Sequence, residues 1–173
     1  MIISLTGFMG VGKSTVASSL SKHLYCKLTD LDRHIEELNN GLSIDSLFKT
    51  MGEEEFRKQE EQALENLLFH NQEKVLVLSL GGGALISKKN RELIKNKTYC
   101  IYLKASLETL LERLEKSRKQ RPLVKNDEGM YLSEKIATLF KEREEGYEYC
   151  ASLTLDVNNL SVKEILIKIL EKI

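Results

Sequence analysis

Cysteine and proline are scarce in this sequence, and neither sign of charge predominates. The three cysteines, Cys26, Cys100 and Cys150, are odd in number, far apart and form no C-x-x-C pair. That argues against both a disulfide framework and a zinc site, and fits a reduced, cytoplasmic compartment. Twenty-six basic and 26 acidic residues cancel to zero formal charge, so no global field exists to hold nucleic acid or an anionic membrane. Small molecules are the expected partners. His23, His34 and His70 fall in separate helical stretches without metal-ligand spacing. There is no apolar run long enough for a signal peptide or membrane helix, no internal repeat, and no linker rich in Gly, Ser or Pro. A soluble, unprocessed, monomeric chain with a single domain over residues 1–173 is expected.

What is present is a hydrophobic fraction of 42% over 173 residues, enough for one well-buried core. Short apolar runs at 2–5, 26–31, 75–80, 99–103 and 153–157 predict five strands. Between them lie stretches with helical spacing: 14–24, a segment after Ser43, 53–69, one starting near Ser87, 107–114, 132–140 and 162–173. Strands alternating with helices predict an α/β fold, a five-stranded parallel sheet covered on both faces. Over 115–129 the apolar pattern fades, charges crowd together and the only proline, Pro122, follows Arg121. This segment reads as a mobile lid.

The sequence from Gly7 to Ser14, GFMGVGKS, satisfies G-x-x-x-x-G-K-[ST] and sits between a predicted strand and a predicted helix. Glycines let backbone N–H groups converge on phosphates, and the helix dipole adds partial positive charge there. Gly10, Val11, Gly12, Lys13, Ser14 and Thr15 are therefore candidate ATP-binding residues. Lys13 would reach the β and γ phosphates, and the Ser14 hydroxyl would coordinate Mg²⁺. The competing reading is a glycine-rich turn that merely joins a strand to a helix.

P-loops serve GTPases, motors and kinases alike, so the acceptor must be argued from other residues. Asp30 and Asp32, two apart, would point to one side if the second strand ran that far, one serving magnesium and the other a substrate. They could equally cap the following helix. Gly81, Gly82 and Gly83 close the third strand, and three consecutive glycines cost backbone entropy unless something approaches the chain closely. A ligand on the backbone explains them; a flexible turn would need only one.

Gly7–Ser14, Asp30-Leu31-Asp32, the segment GEEEFR at 52–57, Gly81-Gly82-Gly83 and Arg121-Pro122-Leu123 resemble, in order and spacing, the motifs of the shikimate kinase family across almost the whole chain. The resemblance implies the P-loop NTPase fold of the nucleoside monophosphate kinase type, in three layers, with an acceptor-binding helical segment over 32–70 and a closing lid. It implies transfer of the γ-phosphate of ATP to the 3-hydroxyl of shikimate, with Mg²⁺. Asp32, Arg57, Gly82 and Arg143 would hold the acceptor, the two arginines gripping its carboxylate and Asp32 its hydroxyls, with Gly81 and Gly83 alongside. Asp30 would lie beside the magnesium, in contact directly or through water, and could orient the attacking hydroxyl or accept its proton. Lys13, Asp30 and Arg121 would be the catalytic set, Arg121 closing with the lid over the transferring group. Arg113 would stack on adenine, with 156–158 near the base, and Phe48 and Phe56 could line the acceptor pocket or serve the core. After Arg143 the family usually has a proline two residues on, whereas this chain reads EEGY over 144–147. The helix end is therefore expected to differ in shape near Gly146.

Two other readings follow from the P-loop: a gluconate or nucleoside monophosphate kinase with a different acceptor pocket, and a nucleotide-binding switch. A GTPase would need N-K-x-D, and Asn96-Lys97 is followed by Thr98 and Tyr99.

Overall fold

A computed structural model describes residues 1–120 and 129–173. The strands are β1 (Ile2–Thr6), β2 (Lys27–Asp30), β3 (Leu76–Ser79), β4 (Tyr99–Lys104) and β5 (Leu153–Asp156). They form one sheet in the order β2-β3-β1-β4-β5, and every pair is parallel. The helices are α1 (Lys13–His23), α2 (Leu31–Leu38), α3 (Ile44–Met51), α4 (Glu53–Phe69), α5 (Lys88–Lys97), α6 (Leu107–Gln120), α7 (Gly129–Cys150) and α8 (Val162–Leu170), with a 3₁₀ turn at Ala84–Ile86.

Burial explains this order. The apolar run of β1 and all of β3 are buried, as strands covered on both faces must be, while the edge strands β2 and β5 alternate or lie open. The crossover through α1 carries the chain from β1 towards β2, and the crossover through α5 carries it from β3 over β1 to β4. These run in opposite directions across the sheet, so right-handed connections place α1 and α5 on opposite faces. The loops after β1 and β3 therefore diverge at the carboxyl edge, the crevice where such sheets take ligands.

Local signals set the helix starts. Ser43 and Ser87 cap α3 and α5, accepting from the N–H groups of Ser46 and Asn90. Three glutamates, Glu53 to Glu55, fill the first turn of α4 and complement its dipole. Ser161 and Glu164 close a capping box on α8.

The structure corrects the sequence reading in two places. Strand β2 ends at Asp30 rather than Leu31, because Asp30 turns its carboxylate onto the Arg33 N–H at 3.3 Å and starts α2. Helix α7 is far longer than the apolar stripe at 132–140 predicts, and it runs through Gly146 to Cys150. Of the lid expected at 115–129, residues 115–120 belong to α6; residues 121–128, Arg121 among them, lie outside those described.

Candidate active site

The loop between β1 and α1 is held by its glycines. Gly7 lies at φ 145°, and a Cβ there would stand 2.6 Å from the carbonyl oxygen of Leu103 on β4. Gly12, at φ 102°, occupies the N-cap of α1 without offering a side-chain cap. The first-turn N–H groups of α1 thus receive no side-chain cap, and no acidic residue occupies that turn. Such an end suits an anion. Ser14 and Thr15 are exposed there, whereas Val11 is buried and fixes the loop from below.

Lys13 reaches back along the loop, donating to the carbonyls of Gly7 at 2.7 Å and Phe8 at 3.1 Å. Burial of its ammonium lowers its pKa to about 8, with Arg143 pushing the same way and the nearby carboxylates of Asp32 and Asp30 opposing. Both aspartates therefore act on one ammonium although they do not share a strand face: Asp30 caps α2 and Asp32 stands in its first turn. Capping and service at the site coexist at Asp30. Asp32 has its pKa raised, first by burial and then by Asp30, while Lys13 and Arg57 pull it back.

None of the three glycines after β3 has a positive φ, so conformational freedom is not what they provide. Side-chain approach is. A Cβ on Gly81 would collide with the Asp32 carboxylate, and one on Gly83 would lie 2.7 Å from Arg57 Nη2. At Gly82 it would meet Arg143 Nη1 at 3.7 Å, Met9 N at 3.7 Å and Gly7 O at 3.9 Å. Three successive glycines thus receive Asp32, Arg143 and Arg57, and the middle one abuts the phosphate loop.

Arg57 is clamped from several sides. Its Nη1 donates to Glu60 Oε2 at 2.7 Å, Glu53 lies 3.6 Å from Nη2, and the guanidinium carbon stands 5.4 Å from the ring centres of both Phe48 and Phe56. Those rings stack at 4.3 Å, Phe56 within the core and Phe48 packed against it partly buried. Arg57 Nε is buried without a hydrogen-bond partner among the described residues, as is Arg143 Nε. A guanidinium can grip a planar acceptor such as a carboxylate through two parallel N–H groups.

Glu60 and Tyr147 are participants that the sequence reading passed over. Glu60 is 1% exposed, and burial raises its pKa against the pull of Arg57. Its signal was present: it follows Phe56 by four positions on the buried stripe of α4 that also holds Ala63 and Leu64. Tyr147 donates to the Gly82 carbonyl at 2.5 Å; it lies beyond the point where the apolar pattern of α7 faded.

The remaining candidates lie on α6 and just after β5. Arg113 Nη1 donates to the Val11 carbonyl at 3.0 Å, tying α6 to the phosphate loop. Asn158 accepts from the Ser106 N–H at 3.1 Å and donates its own N–H to Asp156 at 2.9 Å. A cleft of about 440 Å³ lies elsewhere, along the outer edge of β2 beside Lys27, His34 and His70. It holds none of the convergent arginines or glycines.

Comparison with known proteins agrees with this arrangement. The shikimate kinase family model matches residues 9–173. Shikimate kinase of Enterococcus faecalis is 41% identical over 172 residues, covering 99% of this chain and 97% of its own. That of Thermus thermophilus is 36% identical over 171 residues, covering 99% and 89%. Among solved structures, shikimate kinase from Acinetobacter baumannii in complex with shikimate superposes with a TM-score of 0.83 at 33% identity, covering 98% of this chain and 90% of that one. Deoxyadenosine kinase from M. mycoides, at 20% identity and a TM-score of 0.61, shares the fold. A nucleotide loop built on β1 and α1, facing a glycine turn that gathers one carboxylate and two guanidinium groups, thus occurs in a chain that belongs to the shikimate kinase family.

Proposed function

We propose that this protein transfers the γ-phosphoryl group of ATP to the 3-hydroxyl of shikimate, giving shikimate 3-phosphate and ADP on the way to the aromatic amino acids. The observation that carries this reading is the convergence of Asp32, Arg57 and Arg143 on Gly81–Gly83, with Gly82 against the phosphate loop. A hydroxylated carboxylic acid fits there: the guanidinium groups take the carboxylate, Asp32 accepts from ring hydroxyls, and the adjacent loop presents the phosphates.

In the reaction the acceptor oxygen bonds to the γ-phosphorus as the bond to the β–γ bridging oxygen breaks. The acceptor proton passes to Asp30 or to water. Lys13 balances charge on the β and γ phosphates, and the N–H groups of Gly10 to Thr15 hold them in line. The Ser14 hydroxyl and Asp30 carboxylate are hard oxygen donors at the loop mouth, the donor type Mg²⁺ prefers; Asp30 would act directly or through water. Mg²⁺ bound there would neutralise phosphate charge. Arg113 stacks on adenine, and Arg121 closes over the transferring group from a lid spanning 115–129; both roles rest on the family resemblance.

We read the chain as one domain, 1–173, with residues 32–70 forming the acceptor-binding segment. It would act as a cytoplasmic monomer without nucleic acid or membrane. Zero net charge supports this, and no helix among the described residues is long and apolar enough to cross a membrane.

The test is ADP release from ATP·Mg²⁺ with shikimate, gluconate or AMP supplied separately, against no acceptor and a Lys13→Ala control. Turnover with shikimate alone, lost in Lys13→Ala, is expected. Turnover with another acceptor keeps the kinase and replaces the substrate. Nucleotide binding without acceptor-dependent turnover favours a switch.

A further inference from the structure

We propose that Tyr147 is a positioning residue for the acceptor: its hydroxyl, bonded to the Gly82 carbonyl, locks the glycine turn to the helix that carries Arg143. This rests on the assignment of Arg143 and Gly82 to the acceptor site.

Tyr147 is fully buried and its hydroxyl donates to Gly82 O at 2.5 Å. A buried phenol is unfavourable unless it is hydrogen-bonded. The neighbouring Tyr102, with its ring 5.3 Å away, has no such partner among the described residues. The bond at Tyr147 therefore joins a specific pair of elements rather than satisfying any nearby acceptor. Fixing the Gly82 carbonyl fixes the plane of the peptide it shares with Gly83, and hence the direction of the Gly83 N–H.

The other end of the device is Arg143, one helical turn earlier on α7. Its guanidinium stands over the Phe8 ring at 5.9 Å and faces Gly82. It also acts on the phenol, opposing the burial that raises Tyr147 to about 12. The hydroxyl thus stays protonated, a donor, at any working pH. Gly146 brings the helix close enough: a Cβ there would stand 2.9 Å from the Leu85 carbonyl and 3.0 Å from Arg91 Nε. Helix α7 therefore packs backbone-close on the turn that follows the three glycines, and Tyr147 sets its register against Gly82.

The experiment measures KM for shikimate, KM for ATP and the thermal midpoint of Tyr147→Phe, alone and combined with Arg143→Ala. Positioning predicts a shikimate KM raised about tenfold, the order of one lost buried hydrogen bond. The ATP KM should stay within twofold, and the tyrosine effect should shrink by at least half in the Arg143→Ala background. A shikimate KM within twofold of the parent, or both KM values rising together, overturns the proposal and leaves Tyr147 a packing residue. If Arg143→Ala itself leaves the shikimate KM unchanged, the site assignment fails instead. Should Tyr147→Phe not fold, 3-fluorotyrosine at 147 keeps the shape and the bond. Its ¹⁹F resonance should then move saturably with shikimate and not with ATP; indifference to shikimate refutes the proposal.

Discussion

Glu60 stands where the packing of α4 calls for an aliphatic side chain, between Phe56 and Leu64 on the buried face. Burying a carboxylate there is unfavourable unless it serves a cation, here Arg57 at 2.7 Å. Removing the carboxylate takes from a mostly enclosed guanidinium the nearer of its two carboxylates, leaving Glu53 at 3.6 Å. Glu60→Ala is therefore expected to lower stability by about 3 kcal/mol, read by urea denaturation, and to raise the shikimate KM while sparing that of ATP. Glu60→Gln, which can still accept one bond, should lose less of both. The residue scale is also where sequence reading divides most sharply. Lys13 is identifiable because the P-loop names it; Asp30 and Asp32 are legible as a pair at the end of the second strand, and of the two readings of that pair, a shared strand face or a helix cap, Asp30 follows the second. Their carboxylates meet at Lys13 through a helix start instead. Glu60 was readable as a charge on an apolar stripe, yet spacing alone could not pair it with Arg57 among so many charged neighbours.

Among the elements, the two glycine loops do different work. Gly7 requires glycine for backbone reasons: φ 145° and a Leu103 carbonyl where a Cβ would go. Gly83 is conformationally ordinary, and the nearest obstacle to a side chain is the end of Arg57. Gly83→Ala should accordingly fold with little loss but displace Arg57, cutting kcat/KM for shikimate by roughly 100-fold with ATP affinity retained. Gly7→Ala should instead lose nucleotide binding and about 2 kcal/mol of stability. Steady-state kinetics, nucleotide titration and denaturation of the pair separate the two roles. The strands and most helices were visible in the sequence because their apolar periods are strong. Helix α7 was only partly visible, because beyond Phe140 it faces the site and presents Arg143 and Gly146 where an apolar stripe would otherwise continue.

At the scale of the whole molecule, the phosphate loop should leave its mark on how stability varies with pH. Lys13 ordinarily titrates at 10.5 and here at about 8. Between those values the unfolded chain binds the proton that the folded one has released, so stability contributed by this group rises with pH across that window. Below it, the charged buried ammonium costs at most about 3 kcal/mol. The urea midpoint of the ligand-free protein, measured from pH 7.5 to 10.5 and referred to Lys13→Met, should climb through this range. Bound ATP should abolish the climb by favouring the charged lysine, and kcat/KM for ATP should fall as pH rises through about 8.

Strand β1 lies at the centre of the sheet, with β3 on one side and β4 on the other. In chain order this central strand precedes both of its neighbours, and some seventy residues of helix and edge strand lie between it and β3. Until Leu76–Ser79 emerges, the apolar run at Ile2–Thr6 has no partner, and the phosphate loop hung on it has no floor. For this protein, the interval of greatest exposure to aggregation and to chaperones is set by the position of β1 and closes only as β3 and then β4, at Tyr99–Lys104, follow it.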